Sequence, residues 1–196
     1  MKLTISPGNS KLGKIPNISL TPIVSCRPGV PCAKKCYALK AFRMYPNTVK
    51  AWNGNLEAYK ENSEAYFYQI HKWLTKKEPE YFRWHVGGDI PDEQYWYSMI
   101  QMARVHPMVK FLVFTKYYEL DFSYVPDNMS VVLSMWPGYK LPELGTSGSI
   151  LPRAWCQDKT EDRIPVGAIE CPGHCDTCGA CWGLAKKKLD VVFNLH

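Results

Sequence analysis

The sequence predicts an α/β fold, a partial (open) β/α barrel with mainly parallel strands. Short apolar runs alternate with segments of helical periodicity, in the order strand, helix, strand, crossover and strand that is typical of parallel sheets. The 196 residues suit one domain over 1–196, and 46% of them are hydrophobic, which is enough for a sizeable core. Cysteines concentrate towards both ends of the chain, and the last group predicts a cysteine-rich metal loop near the C-terminus.

The elements follow from local patterns along the chain. Residues 1–22 are rich in Pro, Gly, Asn and Ser, and they predict an irregular N-terminal arm. Apolar and aromatic residues that recur every three or four positions predict helices over 39–45, 48–62, 64–76 and 92–105, with Asn47 and Ser63 as N-caps of the second and third. Short, largely apolar runs predict strands over 18–24, 82–86, 110–116, 131–135 and 190–195. We interpret residues 137–152 as a loop.

The densest chemical signal is a loop over residues 171–183 in which four cysteines are spaced C-x3-C-x2-C-x2-C. These cysteines are Cys171, Cys175, Cys178 and Cys181. Thiolates are soft ligands that suit iron–sulfur clusters and zinc, and such short spacings let one loop surround a metal centre. We predict a [4Fe-4S] cluster, with zinc as the alternative. A disulfide knot would need an oxidising compartment, and the N-terminus shows no apolar signal region.

A second cysteine group, spaced C-x5-C-x3-C, follows the first predicted strand. Cys26, Cys32 and Cys36 lie where a helix begins, and a helix N-terminus favours thiolates. The two groups together offer seven candidate ligands, which exceeds the four that one cubane cluster needs. Either a second metal centre exists or some of these thiols are structural. Cys156 stands alone, and the sequence does not choose between a ligand and a buried thiol.

Three features together resemble a known family. They are the sequence Cys36-Tyr37-Ala38, the strand and turn over 83–89, and the closing Cys-x2-Cys-x2-Cys-Trp. These features resemble the phage proteins of the gene-eighty-eight type, which look like distant, shortened relatives of radical S-adenosylmethionine enzymes. The resemblance covers the chain from the first strand to Trp182. It implies a partial β/α barrel that holds an iron–sulfur cluster, with S-adenosylmethionine as a candidate cofactor.

The cysteine spacing leaves two ligand sets open. A radical S-adenosylmethionine enzyme carries C-x3-C-x2-C after its first strand. In this chain Cys32 and Cys36 give the x3 step, but Leu39 stands at the third position. One reading is a cluster with an iron open to S-adenosylmethionine, and the other is a cluster closed by four cysteines drawn from both ends of the chain.

The strand over 82–86 supplies the candidate catalytic residues. By the period of two, Arg83, His85 and Gly87 share one face, which points inward in a parallel barrel. Ligand chemistry collects at the C-terminal ends of such strands, so His85 and Asp89 are the catalytic candidates. The structural alternatives are a hydrogen-bonded core histidine and a helix-capping aspartate.

Three further residues are candidates for cofactor binding. Gly87 and Gly88 would let a ligand or cluster approach the backbone closely. Lys116 lies at the end of the predicted strand 110–116, where a barrel places its site.

Charge and hydropathy limit the partners. The net charge of +6 is modest, and its densest basic run is Lys186-Lys187-Lys188, so nucleic-acid binding is a weaker expectation than a solvated surface. No apolar run approaches membrane-spanning length, which predicts a cytoplasmic protein (in the host cell if phage-encoded) with no membrane partner.

Three functions fit the sequence. The first is a redox or radical enzyme with a small-molecule substrate that the sequence does not identify. The second is an esterase-like hydrolase with a structural cluster and with His85 and Asp89 at its site. The third is a non-enzymatic, zinc-stapled module that binds nucleic acid.

Overall fold

The structure, a computed structural model, describes residues 3–138, 144, 146–157 and 166–194. Its seven strands form one parallel sheet in the order β1-β2-β3-β4-β5-β7-β6. The strands are β1 (Asn17–Ile18), β2 (Tyr81–Trp84), β3 (Lys110–Thr115), β4 (Met129–Ser134), β5 (Arg153–Gln157), β6 (Ile169–Glu170) and β7 (Val191–Asn194). The edge strands β1 and β6 do not pair with each other, so the sheet is open. The predicted α/β class with parallel strands is confirmed.

Seven α-helices accompany the sheet in the described part of the chain. They are α1 (Tyr37–Met44), α2 (Pro46–Glu61), α3 (Ser63–Lys77), α4 (Glu93–Val105), α5 (Thr146–Ser149), α6 (Cys175–Cys178) and α7 (Leu184–Lys187). Two 3₁₀ turns, Pro31–Lys35 and Ala180–Gly183, carry cysteines. Of the helices that the structure describes, none has the length and apolar content needed to cross a membrane.

The long helices cover one face of the sheet. Side chains alternate along a strand, so Phe82 and Trp84 of β2 project to the same side as Phe111 and Val113 of β3. On that side they pack against buried residues of α2, α3 and α4, including Tyr59, Tyr66, Ile70, Leu74, Tyr95, Trp96 and Met99. This helix-side core is the larger of the two cores.

The C-terminal segment covers the opposite face. Leu112, Val132, Ala154 and Val191 project from four neighbouring strands and pack against Leu184 of α7. Other partly buried residues of the same cluster are Phe114, Ile169, Cys171, Cys181, Trp182, Leu189 and Phe193. We call this side of the sheet the cysteine face. The segment 171–189 therefore covers this face of the sheet, which a second layer of helices covers in other parallel sheets.

Several predicted boundaries were wrong at the start of the chain. The first strand has two residues and not seven, because the chain leaves the sheet at Ser19 and its hydroxyl accepts the backbone N–H groups of Val86 and Gly87. α3 is capped by the Asn62 side chain, which accepts the Ala65 N–H at 2.8 Å, so the predicted cap is one residue late.

The largest omissions lie between residues 137 and 170. Sequence patterns did not predict the strands β5 and β6 or the short helix α5. β5 mixes arginine, tryptophan, cysteine and glutamine, so it shows neither a continuous apolar run nor strict alternation.

The other predicted cap, Asn47, was also wrong, because α2 begins at Pro46 without a side-chain cap.

Trp182 fastens the cysteine loop to the sheet. Its indole N–H donates to the Lys110 carbonyl at 3.0 Å, and its ring meets Tyr81 edge to face, with centroids 5.1 Å apart.

Replacing a buried tryptophan by alanine typically costs about 3–5 kcal/mol. Because Trp182 is half-buried, we expect Trp182→Ala to lower the free energy of unfolding by about 2 kcal/mol. Urea denaturation measures this change, and limited proteolysis should cut the loop faster. The exposed Tyr124 provides the control: Tyr124→Ala should change stability by less than about 0.5 kcal/mol.

Candidate metal centres

The N-terminal cysteines lie above the C-terminal ends of β1, β2 and β3. Cys26 follows the buried Ser25, whose hydroxyl donates to the Thr21 carbonyl at 2.9 Å and accepts the Asp89 N–H at 3.3 Å. Cys32 lies in the 3₁₀ turn, and Cys36 is the cap residue of α1. We call these three cysteines the trio. The hydrogen bond from Asp89 to Ser25 therefore joins the segment that carries the trio to the loop that follows β2.

Burial and neighbouring charge act together on the trio. Burial raises the pKa of Cys26 to about 12, and the Asp89 carboxylate and the thiols of Cys32 and Cys36 add to the increase. Burial also raises the pKa of Cys32, while the Lys116 ammonium opposes that shift. The three thiols therefore act on one another electrostatically, and the predicted site residues Asp89 and Lys116 contribute to the same electrostatic environment.

Asp89 ties two strand ends together. Its buried carboxylate accepts the Ile90 N–H and the Lys116 N–H, each at 2.8 Å, and a hydrogen bond from the Thr115 side chain. These bonds favour the charged form, but burial is the larger effect and raises its pKa. Asp89 does not cap α4, because Asp92 does so by accepting the Tyr95 N–H. A catalytic role for Asp89 stays a prediction.

The two glycines that precede Asp89 pack against this chain itself. Gly88 has φ +78°, and a Cβ there would meet the Ser25 hydroxyl and lie 2.8 Å from the Leu20 carbonyl oxygen. A Cβ on Gly87 would clash with the Trp52 ring. Close packing within the chain is therefore enough to explain why glycine stands at both positions. The cofactor contact predicted for Gly87 and Gly88 stays a prediction.

His85 lies on the helix side of the sheet, so the expectation that it shares a face with Arg83 was wrong. Its φ of +52° breaks the alternation of the strand and turns the ring into the helix-side core. There Nε2 lies 3.1 Å from the Tyr95 hydroxyl, and the ring lies against Trp84 and Tyr95. Burial, with a smaller contribution from Arg83, lowers the pKa of His85 to about 3. A catalytic role for His85 is untested, and these surroundings favour a structural one.

The C-terminal cysteines surround one small pocket on the cysteine face. All four line it, together with Trp182 and Val191 among others. We call these four cysteines the quartet. Backbone hydrogen bonds hold their loop: the Cys171 N–H donates to Val192, the Cys175 N–H donates to Lys11, and the Cys181 carbonyl accepts the Ser130 hydroxyl. The N-terminal arm, β4 and β7 therefore all position the quartet.

The charged neighbours of the quartet differ from those of the trio. Burial raises the pKa of Cys181 to about 12 and also raises that of Cys175, and in both cases the Arg83 guanidinium opposes the shift. The remaining thiols of the quartet add to the increase at Cys181. The seven candidate cysteines are free thiols that form two local groups; Lys116 acts on Cys32 of the trio, and Arg83 acts on Cys175 and Cys181 of the quartet.

Neither group is already arranged around a single ion. Among the residues that the structure describes, no three Cys, His, Asp or Glu side chains are placed to hold one metal ion. Cys156 lies in β5, opposite Phe193 of β7 in the strand register, and not in either cysteine loop.

Two other surfaces contain no cysteine. The basic run over 186–188 is exposed at the end of α7. A wide groove between α3 and α4 is lined by residues such as Tyr68, His71 and Tyr97 and contains no cysteine.

Comparison with known proteins identifies the family. The family model described as gene product 88 matches residues 2–138. The chain belongs to the gene product 88 family. The prediction of a phage gene-product family is therefore confirmed, although the match ends before the quartet, whereas the predicted resemblance extended to Trp182. No curated protein matches the chain significantly, and no solved structure does so.

Sequence reasoning overlooked Arg83 as a site residue. The signal was present, because an arginine stands between Phe82 and Trp84 in a strand that is otherwise aromatic. Alternation along β2 sends these two rings to the helix-side core and Arg83 to the cysteine face.

The low pKa of His85 makes stability depend on pH. An unfolded His85 binds a proton near its ordinary pKa of 6.5, whereas the folded protein does not until about pH 3, so its contribution to stability is lost as the pH falls through that window. We expect His85→Asn, which tolerates a positive φ, to flatten the fall in unfolding free energy between pH 7 and pH 5 by up to about 1.4 kcal/mol per pH unit. Urea denaturation at both pH values measures it. Equal slopes in both proteins would show that the folded protein protonates His85.

Proposed function

We propose that this protein is an iron–sulfur enzyme of the radical S-adenosylmethionine type, built on a partial β/α barrel. In this proposal the trio binds a [4Fe-4S] cluster, and the iron without a cysteine ligand is open to S-adenosylmethionine. The grouping of the thiols supports it, since Cys26, Cys32 and Cys36 act electrostatically on one another and lie in a different segment of the chain from the quartet. A cubane takes four ligands, so three thiolates leave one iron position for another molecule.

The sheet supports a barrel-type site at the trio. Strands β1 to β5 are neighbours in chain order, and α2, α3 and α4 all pack on one face, as the helices of a β/α barrel do. Catalytic groups of such folds lie at the C-terminal ends of the strands. The trio occupies that end of β1, β2 and β3, and Arg27 helps to hold its loop there by placing its guanidinium 4.3 Å from the Tyr117 ring centroid.

Residues around the trio would hold the cluster and its ligand. Such a cluster, when bound, supplies the electron that cleaves S-adenosylmethionine. The positive charge of Lys116 acts on Cys32 and would offset part of the thiolate charge. The Tyr37 hydroxyl donates to the Val86 carbonyl at 2.7 Å and thereby joins the start of α1 to the loop after β2. Because burial keeps Cys26 and Cys32 protonated, metal binding would release protons and would strengthen as the pH rises.

The quartet would bind a second iron–sulfur cluster. Four cysteines that line one pocket supply a complete ligand set, so no iron of that cluster would be open. The cysteines lie on a loop, on the short helix α6 and on a 3₁₀ turn, where rotation about χ1 can bring the sulfur atoms together. Binding energy at this site would also stabilise the cover of the cysteine face.

The hydrolase alternative gains no support from the geometry. It needs His85 to reach a substrate, but the ring is 3% exposed and lies between Trp84 and Tyr95. The Asp89 carboxylate is already used by backbone and side-chain donors. The zinc-stapled module remains a distinct outcome of metal analysis.

Metal and sulfide analysis after anaerobic reconstitution with iron and sulfide tests the proposal. We expect a brown protein with equal iron and sulfide. Alanine at all three trio positions should remove about half of the iron, since two clusters share it, and should abolish the change that S-adenosylmethionine causes in the electron paramagnetic resonance spectrum. Alanine at all four quartet positions should remove the other half and leave that response intact.

The control is Cys156→Ala, which should retain all of the iron and the response to S-adenosylmethionine. A colourless protein that holds stoichiometric zinc after growth in iron-supplied cells would contradict the proposal and favour the zinc module. A brown protein whose spectrum never responds to S-adenosylmethionine would contradict the open iron at the trio.

A further inference from the structure

Arg83 projects from the centre of β2 onto the cysteine face. Its backbone pairs with Asn17 of β1 on one side and with Leu112 of β3 on the other. The guanidinium carbon lies 4.7 Å from the centroid of the Phe114 ring, so the charged group rests on an aromatic surface. The strand and this ring together fix where the positive charge lies.

The guanidinium has no anionic partner among the described residues. Its Nε is buried and makes no hydrogen bond. The one ion pair in the described part of the chain joins Lys110 to Glu80. An arginine offers five N–H donors, and buried polar groups in folded proteins almost always have a hydrogen-bond partner, so the unpaired Nε–H of the half-buried Arg83 points to a ligand.

The quartet lies on the same face of the sheet as Arg83 and could provide an anionic partner when it binds metal. Phe114, on which Arg83 rests, belongs to the same packed cluster as Cys171 and Cys181. Tyr81, two residues before Arg83 on the same side of β2, contacts Trp182, which lines the quartet pocket. The positive charge of Arg83 also acts on the thiols of Cys175 and Cys181 and opposes the effect of burial on their pKa.

We propose that Arg83 is the cationic partner of the iron–sulfur cluster bound by the quartet, and that it sets the reduction potential of that cluster. This proposal rests on the proposed function, because it needs a cluster at the quartet. Four thiolates make such a cluster an anion, and each added electron increases its negative charge. A fixed positive charge and N–H donors directed at sulfur favour the reduced form and raise the potential. Partial burial strengthens the interaction, because water screens it less.

The experiment uses the full chain with alanine at the three trio positions, so that the quartet holds the only cluster. Arg83→Met removes the charge and keeps an apolar stem on Phe114, and Arg83→Lys keeps the charge without the planar fork of donors. Lys186→Met is the matched control, because it removes one positive charge from an exposed residue five positions after Cys181. A redox titration followed by electron paramagnetic resonance measures the midpoint potential, and iron analysis measures occupancy.

We expect Arg83→Met to retain iron and to shift the midpoint potential to a more negative value. Arg83→Lys should lie between that variant and the parent, and Lys186→Met should match the parent. Before reconstitution, Arg83→Met should melt at the same temperature as the parent or higher, because the variant loses an unpaired charge and no ion pair.

Two results would contradict the proposal, and they are distinguishable. An unchanged potential in an iron-loaded Arg83→Met protein would overturn the role of Arg83 and leave the second cluster standing. A protein lacking the trio that binds no iron would overturn the second cluster and, with it, this role. If Arg83→Met fails to fold, Arg83→Lys carries the test. A midpoint potential more negative than the parent's in an iron-loaded Arg83→Lys protein would then support the role of Arg83, and a potential equal to the parent's would overturn it.

Discussion

A parallel sheet is stable only when both of its faces are covered, and this constraint shapes the whole molecule. The crossovers that contain α2, α3 and α4 all return on one side and build the helix-side core. The cysteine face is therefore left to the C-terminal segment, whose two short helices and one 3₁₀ turn bury far fewer apolar residues. Metal binding by the quartet would stabilise the face of the sheet that buries fewer apolar residues, since binding energy is also folding energy.

The same asymmetry separates the two cysteine groups. The trio belongs to the connections that follow β1, at the edge where the strands end, and Asp89 joins that edge to β2 and β3. The quartet belongs to the cover of the cysteine face and is held by β4, β7 and the N-terminal arm. Arg83 lies on the sheet beneath that cover, so its charge acts on Cys175 and Cys181 and also on the Tyr37 hydroxyl near the trio. One residue thus connects the electrostatics of the two sites.

The sequence was most informative where one physical effect dominates. The buried strands β3 and β4 were predicted within a few residues, because their apolar runs are almost continuous. The cysteine spacings correctly marked two groups of thiols. His85 was placed on the wrong face, because alternation assumes extended backbone and a φ of +52° violates it. β5 and β6 escaped prediction because their pairing partners are distant in sequence and their own side chains show no clear period.

The family match adds a further distinction between the sites. It includes the trio, Arg83, Asp89 and Lys116, and it ends at residue 138, before the quartet. The charge of Arg83 therefore lies in the matched part of the chain, while the thiols on which it acts lie outside that part. Only the fold shows that Arg83 and the quartet, which lie far apart in the sequence, share one face of the sheet.

The most direct test of two separate centres is a crystal structure of the anaerobically reconstituted protein, with anomalous data collected at the iron absorption edge. We predict two iron peaks, one bounded by Cys26, Cys32 and Cys36 and the other enclosed by the quartet beside Arg83. A single iron peak shared by cysteines from both groups would contradict the account, because it would require one centre where the fold presents two.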